Sequence, residues 1–135
     1  MSSKVEEKIE QYVRSLFFEA YAEAARILES LKPLKERGEY SEGRYMALHG
    51  LLAAAQRGDR DALFNKVKGE VALEELEEVK EVLRARLSSP VIDDFDRGFF
   101  EQWIRIIELV SSLRQARGGA EHGQGSDRAP RASPK

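Results

Sequence analysis

The residues of this sequence best suited to chemistry are the carboxylates of two acidic clusters. Glutamates recur at spacings of three along 74–81, and two aspartates repeat that spacing at 93 and 96. Residues three apart share a face of a helix, so two facing pairs could hold Mg²⁺ ions against a phosphate chain. The candidate metal ligands are Glu74, Glu77, Glu78, Glu81, Asp93 and Asp96.

This spacing loosely resembles that of the all-α nucleoside triphosphate pyrophosphohydrolases, in which two glutamates are followed, after a gap, by a glutamate and an aspartate. The resemblance implies a nucleotide hydrolase with Mg²⁺ as its cofactor. Here, however, the second pair is Asp93 and Asp96, in or just after the loop at Pro90. A run of glutamates opposite a leucine stripe is also typical of a solvated helix face. We therefore expect a surface role for these carboxylates and no cofactor, and keep the hydrolase as an alternative.

Histidine and cysteine offer little further chemistry. The chain has no cysteine and two histidines. The positions three and four residues from His49 hold Tyr, Met, Leu and Ala, so its own helix supplies no ligand or catalytic partner. We predict that His49 is a boundary or core residue, and that His122 lies in a disordered tail. No catalytic or cofactor-binding residue is assigned from these side chains.

The charge balance does not indicate a nucleic-acid-binding protein. Lysine and arginine total 22 against 24 acidic residues, for a net charge of −2. Since counterion release from nucleic acid requires a concentrated positive surface, we do not expect nucleic acid as a partner. A local basic face remains the second alternative function. It would use Arg84, Arg86, Arg105, Arg114 and Arg117.

The sequence predicts a cytoplasmic protein with no membrane partner. The first ten residues are charged and lack the apolar stretch of a signal peptide. No apolar run approaches the roughly 18–20 residues that span a bilayer. The lack of cysteine suits a reducing compartment, and the excess of arginine over lysine is compatible with a thermophilic source.

Apolar residues recur at steps of three and four along most of the chain, which predicts an all-α fold. We expect a compact antiparallel bundle of four principal helices and one short connecting helix, in a single domain over 1–117. The short helix begins beside Asp59 and Asp61. Residues 118–135 lack the apolar side chains needed for a core and are predicted to be a disordered tail. The predicted helices are 3–32, 42–57, 60–67, 70–88 and one from Asp94 or Asp96 to Arg117.

The helix over 42–57 carries a ridge of small side chains. Glycine costs about 1 kcal/mol relative to alanine inside a helix, so a ridge with two glycines indicates close approach by another helix. We predict that this helix is the buried centre of the domain and that its partner is the first helix, through Ala20 and Ala24. The ridge consists of Gly43, Ala47, Gly50 and Ala54.

The first predicted helix is nearly twice as long as the second and is apolar along its whole length. Its aromatic residues lie on more than one side, which indicates a surface buried against a second copy or another protein. The leading functional prediction is a small non-catalytic interaction or regulatory protein that self-associates through this helix. The predicted interface residues are Tyr12, Phe17, Phe18 and Tyr21.

Overall fold

In the computed structural model of this protein, residues 3–58 and 62–125 are described. They form helices and no β-strand, so the predicted all-α class is confirmed. A 3₁₀ helix, Lys32–Glu36, joins the second helix to the third, and a π-helical turn, Lys66–Glu70, follows the fourth. The α-helices are α1 (Ser3–Phe17), α2 (Tyr21–Leu31), α3 (Glu39–Arg57), α4 (Leu63–Asn65), α5 (Leu73–Leu87) and α6 (Asp94–Gly125).

The long first helix of the prediction is two helices, α1 and α2, separated by a turn at 18–20. Glu19 adopts a left-handed conformation with φ of 64°. The amide of Ala20 donates to the carbonyl of Ser15 (2.8 Å), and the amide of Glu19 donates to that of Leu16 (3.1 Å). These two bonds form the Schellman motif that ends helices. Both α1 and α2 bury a face whose apolar residues recur at steps of three and four, so the apolar pattern continues across the turn. No glycine or proline marks the break.

Replacing Glu19 with glycine is expected to raise the free energy of unfolding by about 1 kcal/mol, because a left-handed conformation costs an L-residue about 1–2 kcal/mol and costs glycine almost nothing. Glu19 also lies 3.3 Å from the ammonium of Lys68, but such exposed pairs contribute little. Glu19→Ala is the control, since it removes the ion pair and keeps the strained backbone. Urea denaturation measures both variants; equal stabilities would contradict the assigned strain.

Helices α1, α3 and α6 run in the same direction, since contacts advance together along α1 and α3 and, from Glu10–Arg105 to Phe17–Arg117, along α1 and α6. Near their starts, Glu6 of α1 meets Arg44 of α3. One turn or more further on, the hydroxyl of Tyr12 donates to the carbonyl of Leu48 at 2.7 Å. Helix α2 returns between α1 and α3, and α5 runs antiparallel to α6. The core is drawn from all of these helices and includes Ile9, Val13, Leu16, Leu28, Leu31, Leu48, Leu51, Phe64, Leu76, Ile106, Ile107 and Val110.

Helix α3 lies at the centre and packs most extensively against α6. At their crossing, a Cβ added to Gly43 would lie 2.0 Å from the carbonyl oxygen of Phe95, and one added to Gly98 would lie 2.0 Å from that of Tyr40. The close approach predicted from the glycine is therefore present. Its partner, however, is α6 and not the first helix, because helical periodicity identifies a buried face without identifying what covers it.

The remaining members of the small-residue ridge divide between core and surface. Ala47 and Ala54 are buried. Gly50 is exposed, and no atom lies within 4 Å of the position that a Cβ would take there. Ala20, one of the predicted partners, is exposed in the turn after α1, and Ala24 is buried in α2. The ridge is thus not one continuous contact surface.

The last helix ends later than the sequence predicted. Helix α6 extends to Gly125, beyond Arg117, where the sequence predicted its end. Glycine lowers helix propensity by about 1 kcal/mol without forbidding the helix, so Gly118 and Gly119 do not stop it. The rest of the predicted tail, 126–135, lies outside the described residues. So do Asp59 and Asp61, beside which the short helix was predicted to begin.

Candidate functional site

A polar cleft of about 280 Å³ opens near the first turns of α1, α3 and α6. In the described part of the chain, this cleft brings together side chains that are far apart in the sequence. They include charged and hydrogen-bonding groups, and some of them are buried. We name it the Arg44 cleft, after its buried cation. Its lining residues are Glu6, Tyr40, Arg44, Glu101, Gln102 and Arg105.

The glycine crossing explains why two of these side chains meet. Arg44 directly follows Gly43 in α3, and Gln102 lies one turn after Gly98 in α6. Because the two backbones touch at the glycines, the side chains of the neighbouring positions face each other across a short gap. The Nε of Arg44 donates to Oε1 of Gln102 at 2.9 Å. The backbone contact therefore sets the geometry of the cleft floor.

Arg44 is a buried charge with an acidic partner. The residue is 6% exposed, and one terminal nitrogen of its guanidinium donates to Oε2 of Glu6 at 2.7 Å. A buried ion is tolerated only when it is paired and hydrogen-bonded. Glu6 of α1 and Gln102 of α6 supply these interactions, so Arg44 ties three helices together.

Gln102 carries an unsatisfied group on the cleft floor. The residue is 2% exposed, and its Nε2 has no hydrogen-bond partner among the described residues. Its orientation follows from Arg44, because a guanidinium only donates and must face the amide oxygen. A buried donor without an acceptor costs about 1–3 kcal/mol, and such groups in folded proteins are rare. The described residues therefore leave this amide nitrogen able to donate to a further acceptor.

The rim of the cleft is formed by paired polar groups. The hydroxyl of Tyr40 donates to Oε1 of Glu101 at 2.5 Å, and a terminal nitrogen of Arg105 donates to Oε2 of Glu10 at 2.9 Å. Burial raises the pKa of Tyr40 to about 12, and its hydrogen bond to Glu101 contributes in the same direction. The neutral tyrosine is therefore the form that the cleft holds.

Stability is expected to fall as the pH rises from about 10 to about 12, because the folded chain holds Tyr40 neutral over a range in which the unfolded chain ionises it. A raised pKa contributes fully below the unfolded value near 10 and is lost as the pH passes the folded value. Tyrosinate absorbance and circular dichroism, followed together in an alkaline titration, measure this loss. Tyr40→Phe should make the loss smaller; an unchanged profile would contradict the assignment to Tyr40.

The six predicted metal ligands are not brought together. Glu77 lies 3.2 Å from the ammonium of Lys80, and Glu81 lies 2.6 Å from the guanidinium of Arg84. Glu74 and Glu78 are exposed on the same helix, α5. Among the residues with described positions, no three acidic, histidine or cysteine side chains are grouped so that they could hold a metal ion. The hydrolase alternative thus lacks its converging carboxylates here.

Asp93 and Asp96 have a local structural role. Oδ1 of Asp93 accepts the amide N–H of Asp96 at 2.8 Å, immediately before and within the first turn of α6. This is the hydrogen bond of a helix N-cap. The sequence predicted that this helix starts at Asp94 or Asp96, and it starts at Asp94, directly after the capping residue Asp93.

Asp93→Ala is expected to lower the free energy of unfolding by about 1 kcal/mol, since loss of an N-cap side chain typically costs about 0.5–2 kcal/mol. Asp94→Ala is the matched control, because it removes a charge from the same turn without removing the cap. Thermal unfolding followed by circular dichroism compares them. If adding Mg²⁺ stabilised the parent protein but not Asp93→Ala, the cap interpretation would be incomplete and a metal role would return.

The arginines of α5 and α6 are individually engaged and do not form a free basic face. Arg84 and Arg105 both lie within 4 Å of Glu108, at 3.9 and 3.7 Å. The described surroundings of these arginines thus offer little support for the nucleic-acid alternative. The other three contact the ring of Phe100 (Arg86), the carbonyl of Val67 (Arg114) and the ring of Phe17 (Arg117).

The predicted interface residues are mostly internal. Tyr12 is fully buried and Phe17 is 2% exposed, so these two belong to the chain's own core. Tyr21 is half-buried, and its hydroxyl lies 3.5 Å from the carbonyl of Ala55. Phe18 is 50% exposed and contacts Phe17 edge-on. Tyr12 contacts α3, where its hydroxyl donates to the carbonyl of Leu48, and Phe17 contacts α6, where Arg117 lies over its ring.

His49 lies on the exposed face of α3, with its ring centroid 5.8 Å from that of Tyr45. It is therefore further out than the predicted boundary or core position, because the neighbouring helices cover the opposite face of α3. It takes no part in the Arg44 cleft. The side chain of His122 lies outside the described residues.

Sequence reasoning missed the Arg44 cleft, although one signal was present. Gln102 lies between Phe99 and Ile106 on the apolar face of the last predicted helix, at helical spacings of three and four. A polar side chain in the middle of a core face requires a partner. The equivalent signal for Arg44 is its position beside Gly43, where a long charged side chain adjoins the closest backbone contact.

No described helix is both long enough and apolar enough to cross a membrane. The chain was also compared with known families and proteins. No family model matches it, and no curated protein or solved structure matches it. A function is therefore inferred from the geometry of the Arg44 cleft.

Proposed function

We propose that this chain is a small non-catalytic binding protein, of the interaction or regulatory type, which holds a small polar molecule in the Arg44 cleft. The observation that supports this proposal is the buried Nε2 of Gln102, which has no acceptor among the described residues. The residue Gln102 lines a cleft of about 280 Å³ together with the buried Arg44. Pockets that bind small molecules typically combine such convergent polar groups with a preformed concave shape.

The groups of the cleft are suited to orienting a molecule rather than to transforming it. Arg44 is held by Glu6 and Gln102, and Tyr40 is held neutral beside Glu101. A general acid or base needs a pKa near the working pH, whereas burial moves the pKa of Tyr40 further from neutrality. These features favour binding over proton transfer at this site.

A thermal-shift screen against a panel of small polar molecules tests the proposal. A molecule that binds only the folded chain stabilises it by about 2.7 kcal/mol at 100 times its dissociation constant. We expect at least one compound to raise the melting temperature of the parent protein. Gln102→Glu should abolish that rise, because it keeps the oxygen that accepts from Arg44 and removes the Nε2 donor.

The matched control is Gln56→Glu, which makes the same chemical change at an exposed position of α3. The control should respond to the same compound as the parent does. A compound that stabilises the parent and Gln102→Glu equally binds elsewhere. If no compound of the panel stabilises the parent protein, the binding function fails.

Self-association through the first helix remains a prediction centred on Phe18, the exposed member of the predicted interface. Sedimentation equilibrium of the parent and of Phe18→Ser measures it. A dimer weakened by the substitution would support an interaction through this surface. A monomer at high protein concentration would remove the prediction.

A further inference from the structure

We propose that the molecule held in the Arg44 cleft has no net charge, presents an acceptor oxygen to Gln102 and directs N–H donors towards the rim carboxylates. This inference rests on the proposed function and specifies its ligand class. Two kinds of small molecule share this chemistry: a neutral cyclic amide such as a pyrimidine base, and a zwitterionic amino acid. Titration with one probe of each kind distinguishes them.

The inner end of the ligand is defined by Gln102. Its Oε1 is occupied by Arg44, so the amide can offer only its Nε2 N–H groups to a ligand. A donor is satisfied by a carbonyl or carboxylate oxygen and not by another N–H group. The molecule therefore carries an oxygen acceptor at the end that enters the cleft.

The outer end of the ligand is defined by two carboxylates. Glu101 is exposed, and the side chain of Glu6 is 37% exposed. Ionised carboxylates accept hydrogen bonds and never donate them, and each has room for about four. Tyr40 donates to one oxygen of Glu101, and Arg44 donates to one oxygen of Glu6. Donors on the ligand therefore match the rim.

The charge balance argues against an ionic ligand of either sign. Two arginines and two glutamates line the cleft, so its formal charges cancel. An anion would lie beside Glu6 and Glu101, and a cation would lie beside the buried Arg44. Placing a like charge at such a site is unfavourable. A molecule with zero net charge avoids both penalties.

The size and access of the cleft set further limits. A volume of about 280 Å³ lies just below the roughly 300–1,000 Å³ of typical small-molecule pockets, which suits a molecule with a single ring. The Nε2 atom is itself covered, so entry requires a rim side chain to move. Glu101 is exposed and is held to α3 by its bond to Tyr40.

The test follows the side-chain amide signal of Gln102 in nitrogen-15 correlation spectra of the full chain. Its assignment comes from its absence in Gln102→Glu. The probes are uracil, alanine, acetate and methylammonium, each titrated to the same concentration. We expect uracil or alanine to shift this signal saturably, while acetate and methylammonium do not. The exposed amides of Gln11 and Gln56 are internal controls and should stay unchanged.

Each result supports or overturns the inference. A shift with uracil alone identifies the neutral amide source, and a shift with alanine alone identifies the zwitterion. If acetate or methylammonium shifts the Gln102 signal as much as uracil or alanine does, the zero-charge inference is overturned. Binding at the cleft would still stand. If no probe shifts the signal but a compound of the thermal-shift panel binds, the ligand class fails and the proposed function stands. If that panel also fails, both fall together.

A second variant keeps the inference testable if Gln102→Glu unfolds. Glu101→Gln changes an exposed side chain and raises the formal charge of the cleft by one. It should weaken whichever of uracil and alanine binds by at least about fivefold, because a rim acceptor becomes partly a donor, and it should make acetate bind more tightly than in the parent. Unchanged binding of all four probes to Glu101→Gln would contradict the assigned rim contact.

Discussion

Gly43→Ala is expected to lower the free energy of unfolding by about 2 kcal/mol, the upper end of overpacking costs less the gain in helix propensity. The new Cβ would lie 2.0 Å from the carbonyl oxygen of Phe95. That atom belongs to the backbone of α6, so it cannot rotate away as a flexible side chain would. Overpacking of this kind costs about 1–3 kcal/mol and occasionally more, against a gain of about 1 kcal/mol in helix propensity. Urea denaturation measures the difference.

Gly50→Ala provides the matched control in the same helix. No atom lies within 4 Å of the position that its Cβ would occupy, and the residue is exposed. Its substitution is expected to stabilise the chain by up to about 1 kcal/mol through helix propensity alone. Gly98→Ala should behave like Gly43→Ala, because its Cβ would lie 2.0 Å from the carbonyl oxygen of Tyr40. If all three variants had the same stability, the helix crossing would not be as close as described.

The glycine substitutions also connect the crossing to the cleft. Forcing α3 and α6 apart lengthens the gap that the Arg44–Gln102 hydrogen bond spans, at present 2.9 Å. A Gly43→Ala protein that still folds should therefore show a changed Gln102 side-chain amide signal. Gly50→Ala should leave that signal as in the parent. This comparison separates a local change at the crossing from a general loss of stability.

Arg44→Met is expected to lower the free energy of unfolding by about 3 kcal/mol. The substitution keeps much of the side-chain length but leaves the buried Oε1 of Gln102 without its donor and Glu6 without its cation. Breaking a buried charged interaction by removing one partner costs about 3–5 kcal/mol. We place the effect at the lower end because Glu6 is partly exposed, at 37%, and can be solvated. Chemical denaturation measures it.

The control for Arg44→Met is Arg84→Met on α5. Arg84 also lies near two glutamates, but its side chain is 43% exposed, and exposed ion pairs contribute about 0–1 kcal/mol. The two variants make the same chemical change at different burial. An equal loss of stability in both would show that burial of Arg44 does not determine its effect.

A double substitution tests whether Arg44 and Gln102 act as a unit. Replacing both members of a buried polar pair with apolar side chains is often far less costly than removing one. Arg44→Met combined with Gln102→Leu should therefore recover about 1–2 kcal/mol relative to Arg44→Met alone. Strictly additive losses would indicate that the two side chains do not depend on each other.

Helical periodicity predicted much of the fold from the sequence alone. The steps of three and four in apolar residues identify which segments are helical and which faces are buried, and these properties are local to each segment. Pro90 and the acidic residues after it mark the loop before α6, since proline restricts the preceding residue. The glycine at 43 indicated a close helix contact because glycine in a helix interior carries a cost that only packing offsets.

The break at 18–20 could not be predicted in the same way. It has no glycine or proline, and Glu19 adopts a left-handed conformation that L-residues rarely take, within the two backbone hydrogen bonds that end α1. The prediction of a continuous first helix led to the prediction of an exposed aromatic surface. Both predictions assumed a straight helix. The chain instead turns at 18–20, and α2 packs against α1.

Residue patterns along the chain predicted an all-helical fold with the helix over 42–57 at its centre. Which helix covers Gly43 and which side chains surround Arg44 depend on the arrangement of the folded helices. The physical reason is that periodicity and propensity act between residues a few positions apart, whereas the Arg44 cleft joins residues separated by 38 and 58 positions. Such contacts depend on how whole helices cross, and that is set by the combined packing of the core.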